Sequence, residues 1–142
     1  MEIKLKRLSK DAIVPTYGTS QSAYLDLYAI EDVFLHPGDV KVIRSGWAFE
    51  IPEGYYVDVL PRSGLSCKKG VISLNSVGII DSDYRGEILT TMKNLSNEPL
   101  LISKGDRYAQ MSIKKWIYTT FMEVDELTPT MRGSGGFGST GK

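Results

Sequence analysis

A chain of 142 residues fits one domain, long enough to bury roughly 68–70% of its unfolded surface. Seventeen Lys and Arg balance seventeen Asp and Glu, so no overall field draws the chain to nucleic acid or an anionic membrane, and an anionic partner must be gripped locally. A lone cysteine, Cys67, and a lone histidine, His36, exclude an internal disulfide and Cys/His zinc sites; a Ser-His-Asp hydrolase would depend on His36, which reads as a strand end entering the turn at Pro37-Gly38-Asp39.

In chain order, the opening MEIKLKRLSK alternates charge with Ile3, Leu5 and Leu8 and lacks the apolar stretch of about 7–15 residues that a signal peptide requires. No apolar run approaches about 18 residues, so no membrane-spanning segment is expected, and the cysteine usage suits a reducing, cytoplasmic setting. Turn signals recur at Pro37-Gly38-Asp39, Pro52-Glu53-Gly54, 94–99 and Lys104-Gly105-Asp106. Between them, runs rich in β-branched and aromatic residues at 41–43, 47–51, 55–60, 88–92 and 107–113 predict an all-β barrel or sandwich of short strands. No window of roughly 11 to 18 residues sustains a helical period; a single turn over 64–69 is the best helix candidate.

After the last run, Trp116, Ile117, Tyr118, Phe121, Met122 and Val124 are too apolar for an open edge strand, which leaves an internal core strand or a segment that crosses to a neighbour. Beyond Pro129 the composition changes: the final eleven residues, RGSGGFGSTGK, hold five of the fourteen glycines. Such a tail buries too little to offset the entropy of its own ordering, so a domain over 1–128 carrying a flexible terminus over 129–142 is expected. Phe137 between glycines, with Arg132 before it and Ser139-Thr140 after, also has the content of a loop that closes over a flat, anionic ligand.

Three stretches bear on chemistry. The tail's GFGSTGK, 136–142, matches the first seven positions of the phosphate-loop pattern without its strand-loop-helix context, so only the general ability of consecutive glycine N–H groups to converge on phosphate survives. PRSGLS, 61–66, offers an arginine fork, a hydroxyl and close backbone approach at a possible helix start; a structural turn with a solvated arginine would look the same. In GIIDSDYRGEI, 78–88, Asp81 and Asp83 mark either a solvated hairpin turn or a catalytic loop.

Five segments in order, AYLDLYA (23–29), PRSGLS (61–66), 75–87, GDRYAQ (105–110) and 132–141, resemble the motifs of the trimeric deoxyuridine triphosphatase (dUTPase) family, and the match runs from about residue 22 to the end. The resemblance implies a distorted jelly-roll-like β-barrel of short antiparallel strands and a homotrimer whose three active sites each draw on more than one subunit. It implies hydrolysis of dUTP to dUMP and pyrophosphate with Mg²⁺, which limits uracil in DNA and supplies dUMP for thymidylate synthesis. By the same resemblance Asp81 orients and deprotonates the attacking water, and Tyr84 stacks on the deoxyribose to exclude a 2′-hydroxyl. Asn75, the backbone of Gly78, Ile79 and Ile80, and Leu89 read the uracil edge. Arg62, Ser63, Gly64 and Gln110 grip phosphate, while Phe137 stacks on uracil as Arg132, Gly138 and Ser139 close the 129–142 arm over the phosphates.

Magnesium, held by phosphates and waters, needs no direct protein ligand, with Asp26 and Gln110 acting at most through water. Asp83 is expected to pair with a nearby arginine, and Arg107 with Asp26 or Asp83. Two departures stand out: Tyr24 replaces the first motif's usual glycine, a costly change if that backbone needs positive φ or tight packing, and Ser76 stands where glycine is common. A dCTP deaminase shares the fold, yet Ser82-Asp83-Tyr84 follows Asp81 and Thr91 stands three before Asn94, so its glutamate is missing. A dUTPase-fold module that binds a regulatory protein partner is the other alternative, and it would be marked by loss of the set Asp81, Tyr84, Arg62 and Phe137, all of which are present.

Overall fold

The computed structural model describes residues 1–139; Thr140, Gly141 and Lys142, the end of the fifth motif and of the GFGSTGK stretch, lie outside the described residues. Its elements run β1 (Lys4–Arg7), β2 (Thr16–Tyr17), β3 (Leu25–Tyr28), β4 (Val33–Leu35), β5 (Val40–Glu50), β6 (Tyr55–Pro61), α1 (Ser63–Lys69), β7 (Val71–Ser73), β8 (Gly78–Ile80), β9 (Glu87–Asn94), β10 (Leu100–Ile102) and β11 (Arg107–Lys115). The strands form a four-stranded sheet, β1-β5-β9-β7, a five-stranded sheet, β2-β3-β11-β6-β8, and a small pair, β10-β4, with every pairing antiparallel. This is the all-β, jelly-roll-like arrangement expected from the sequence.

Alternation along the strands builds the core. Val57 and Val59 of β6, Leu27 of β3 and Met111 of β11 turn inward from the larger sheet, and Ile43 and Phe49 of β5 with Ile88 and Met92 of β9 turn inward from the smaller. Each such side chain contributes about 1.5–3 kcal/mol by leaving water. The runs 41–43 and 47–51 belong to one strand, β5, which continues through an irregularity between Arg44 and Ala48. There Gly46 adopts φ +75°, and a Cβ on it would lie 2.7 Å from Ala12 Cβ, so glycine alone fits.

Two connections matter for the site. Residues 74–77 leave the four-stranded sheet at β7 and enter the five-stranded one at β8; residues 81–86 make the return journey from β8 to β9. After β11 the chain runs without strand or helix to Ser139, and Ile117, Phe121, Met122 and Leu127 are almost fully exposed. The apolar segment at 116–124 is therefore not an internal core strand. Ile117, Tyr118, Phe121 and Met122 find little cover within the chain, whereas Trp116 and Val124 are partly covered.

Candidate active site

Strand β8 holds only three residues, paired with β6 through Gly78↔Val59, Ile79↔Asp58 and Ile80↔Val57. At its entrance Asn75, Ser76 and Val77 make a tight turn in which Val77 N–H donates to Asn75 C=O at 2.7 Å, and Ser73 Oγ donates to Asn75 Oδ1 at 2.8 Å. Ser76 sits at φ +60°, the left-handed conformation that explains why glycine suits this position. At the exit, the exposed Asp81 carboxylate makes no ion pair among the described residues. Its C=O accepts from Tyr84 N–H at 3.2 Å, and Tyr84 folds back so that its phenol donates to Glu87 C=O at 3.1 Å. Gly86 makes this possible, since a Cβ there would collide with the Tyr84 ring.

The loop is tied to the smaller sheet by Glu87. Its carboxylate accepts from Arg44 Nη2 at 2.9 Å, Arg44 Nε at 3.1 Å and Gly46 N–H at 2.8 Å. Arg85 donates to the carbonyls of Ser82 and Tyr84, at 2.6 and 3.0 Å, and so braces the turn from within. The expected pairing of Asp83 with an arginine does not occur: Arg85 spends its donors on carbonyls and Asp83 stays exposed, without an ion pair among the described residues. Asp81 and Asp83 instead line an open cleft of about 840 Å³ walled by Arg85 of the same stretch and by Tyr55, Tyr56 and Trp116, which lie outside the motifs.

A second cleft, about 340 Å³, gathers Arg62, Ser63, Gly64 and Gln110 with Asp26, Arg107 and Tyr24. The buried Asp26 carboxylate organises it, with Oδ1 at 2.9 Å from Arg62 Nε and Oδ2 at 3.2 Å from Arg107 Nη1. Arg107 thus finds one of its two expected partners. The Arg62–Asp26 pair was not legible, because nothing in the local sequence ties residues so far apart. Gln110 lies opposite Asp26 in the β3–β11 register and donates from Nε2 to Pro61 C=O at 3.1 Å. Ser63 and Gly64 open α1, where first-turn N–H groups lack intrahelical acceptors. Tyr24 has an ordinary negative φ, so its backbone has no need of the glycine seen in the motif.

The two clefts do not meet within one chain. Ile80, next to Asp81, pairs with Val57, and Arg62 follows five residues further along β6, about 17 Å away at strand rise. Arg132, Phe137, Gly138 and Ser139 line neither cleft, and Phe137 is fully exposed. They lie in a series of turns, with Gly135 N–H donating to Arg132 C=O and Ser139 N–H to Gly136 C=O. Among the described residues no cluster of three or more His, Cys, Asp or Glu could hold a metal unaided.

An all-β barrel that displays an unpaired carboxylate on one hairpin and an arginine, serine and glutamine cleft on the same sheet has the features of a nucleotide-hydrolysing enzyme. A family model for dUTPase matches residues 10–141. The chain is similar to the deoxyuridine 5'-triphosphate nucleotidohydrolase of Nautilia profundicola, 50% identical over 142 residues and covering 100% of both chains. The protein of that description from a Hydrogenobaculum species is 46% identical, with 99% of each covered. In structure it resembles a Staphylococcus bacteriophage 80alpha dUTPase variant with dUpNHpp, at TM-score 0.91, 29% identity and 99% coverage of both chains. The chain belongs to the dUTPase family.

Proposed function

We propose that the chain hydrolyses dUTP to dUMP and pyrophosphate by attack of an Asp81-activated water on the α-phosphorus. The observation that carries this reading is the contrast between two carboxylates: Asp26 is buried with both oxygens on arginines, whereas Asp81 is exposed and has no ion-pair partner among the described residues, free to accept a proton from water. Tyr84, packed over Gly86, would present its ring to the deoxyribose, and Asn75, Gly78, Ile79, Ile80 and Leu89 would bind uracil. Arg62, Ser63, Gly64 and Gln110 would hold the phosphates and stabilise charge that develops as pyrophosphate leaves.

The active unit is a homotrimer with shared sites. The separation of about 17 Å along β6 fits this reading, because it leaves two half-sites on each chain that a second copy can complete. Residues 1–128 form the domain and 129–142 the arm, whose Arg132, Phe137, Gly138 and Ser139 close over substrate and exclude water. The exposed side chains of 116–128 make this stretch a stalk that reaches toward a neighbouring subunit.

Mg²⁺ bound to the triphosphate would arrive with its nucleotide, neutralise its charge and fix its shape. Asp26 and Gln110 would face that ion only through water. A cytoplasmic location belongs to the same reading; no helix among the described residues is long and apolar enough to cross a membrane.

The test is pyrophosphate release from dUTP with dCTP, dTTP and UTP as competitors, in the intact chain and in Asp81→Asn. Release from dUTP alone, reduced at least about a hundredfold in the variant, is expected. Equal rates in the two proteins would remove Asp81 from the mechanism.

A further inference from the structure

Tyr24 occupies the position of the first motif's glycine, and its ring has a built support. The phenol donates to Asp58 Oδ2 at 3.0 Å, joining β3 to β6 across β11. Asp58 is 9% exposed, and its other oxygen has no hydrogen-bond partner among the described residues. The Tyr24 hydroxyl is therefore the side-chain donor this buried carboxylate relies on, and letting it swing away would leave the charge uncompensated. Burial, followed by the adjacent Asp58, raises the phenol's pKa, so it stays protonated and donating. The Lys114 ammonium, 5.0 Å from the ring centroid, adds a second constraint.

The sheet register shows what this fixed ring faces. Asp58 pairs with Ser112, and Tyr24 lies one residue beyond the Leu25↔Met111 pair, so Tyr24, Ser112 and Asp58 form a cross-strand row. The next row on that face, about 7 Å along the strands, holds Asp26, Gln110 and Leu60. Tyr24 accordingly lines the cleft that contains Arg62, Ser63, Gly64 and Gln110. A glycine would leave that wall open.

We propose that Tyr24, tethered through Asp58, is a positioning residue for the substrate's polyphosphate, a fixed wall that narrows the Arg62–Gln110 cleft and restricts the orientations the β- and γ-phosphates adopt. The inference rests on the reading of this cleft as the phosphate half-site. Its effect is directed at the phosphates, since the residues that share this cleft with Tyr24 are Arg62, Ser63, Gly64 and Gln110, those assigned to phosphate.

Calorimetric titration of the full-length protein with dUpNHpp and, separately, dUMP tests this without turnover, in the native chain, Tyr24→Phe and Tyr24→Gly. Loss of the tether is expected to weaken dUpNHpp about fivefold in Tyr24→Phe, and loss of the wall at least as much in Tyr24→Gly. Affinity for dUMP is expected to be unchanged in both. Unchanged dUpNHpp affinity in both variants, or an equal weakening of dUMP, overturns the role. If Tyr24→Phe proves too unstable to titrate, Tyr24→Gly decides, because it leaves no ring to mislocate. Failure of the parent reading is seen elsewhere, as absence of pyrophosphate release from dUTP by the native chain; a native chain that binds no dUpNHpp overturns both.

Discussion

Asp26→Asn is the perturbation whose magnitude the structure defines best. The amide keeps the size of the side chain but removes the charge that two arginines share. The Asp26 side chain is 10% exposed, that of Arg62 33% and that of Arg107 48%. The Arg62 bond, charge-assisted and largely shielded, is worth about 1.5–3 kcal/mol. The Arg107 bond, half in solvent, adds about 0.5 kcal/mol after screening. Because the amide retains one acceptor, the net loss is about 2–3 kcal/mol, a fall in Tm of about 6–12 °C for a chain of this size. Differential scanning calorimetry measures it, and kcat/KM for dUTP should fall about tenfold as Arg62 loses its alignment. A variant that melts within about 1 °C of the parent would refute the claim that Asp26 organises the cleft.

Gly46→Ala is expected to cost about 3 kcal/mol or more, since it combines a left-handed φ with a Cβ 2.7 Å from that of Ala12; urea denaturation would reveal a lower midpoint. Tyr108 predicts alkaline behaviour: burial holds its phenol above the ordinary value, so its contribution is complete below about pH 10, the unfolded pKa, and is lost as pH rises toward the folded pKa. Its hydroxyl lacks a partner among the described residues, so Tyr108→Phe should be near neutral at pH 7 and flatten the decline of stability above pH 10 in denaturation series. Truncation after residue 128 should leave Tm within about 1 °C, because the described residues it removes, 129–139, are almost all exposed, while kcat/KM drops at least about tenfold if the arm closes the site.

The regular strands were legible and the irregular ones were not. Strands β6 and β11 lie within two residues of the runs read at 55–60 and 107–113, because long alternation with a buried face leaves a clear period. Strand β5 read as two, since the sequence cannot reveal that Gly46 bends the chain without ending the strand. Strand β1 passed unnoticed because Lys4, Leu5, Lys6 and Arg7 are all exposed, and no face is selected for burial. Motif order singled out Asp81, Arg62 and Gln110 as candidates, yet it could not reveal that Arg62 is held by Asp26 or that Tyr24 reaches Asp58, contacts across 36 and 34 positions of chain. The doubt over Tyr24 rested on a need for positive φ or tight packing, and Tyr24 has an ordinary φ with its hydroxyl on Asp58. The space beside the backbone, occupied here by the ring, is what differs.

The loop from Asp81 to Glu87 begins on one sheet and ends on the other, with Ile80 hydrogen-bonded to β6 and Glu87 fastened to the bulge of β5. It therefore acts as a gauge of the gap between the layers. Any change in the thickness of the core, from thermal expansion to a methylene lost at Val59 or Met92, alters the span that this loop must bridge and with it the placement of Asp81 relative to Tyr84. Packing deep in the barrel and the geometry of the loop proposed to carry the reaction are in this sense one mechanical variable.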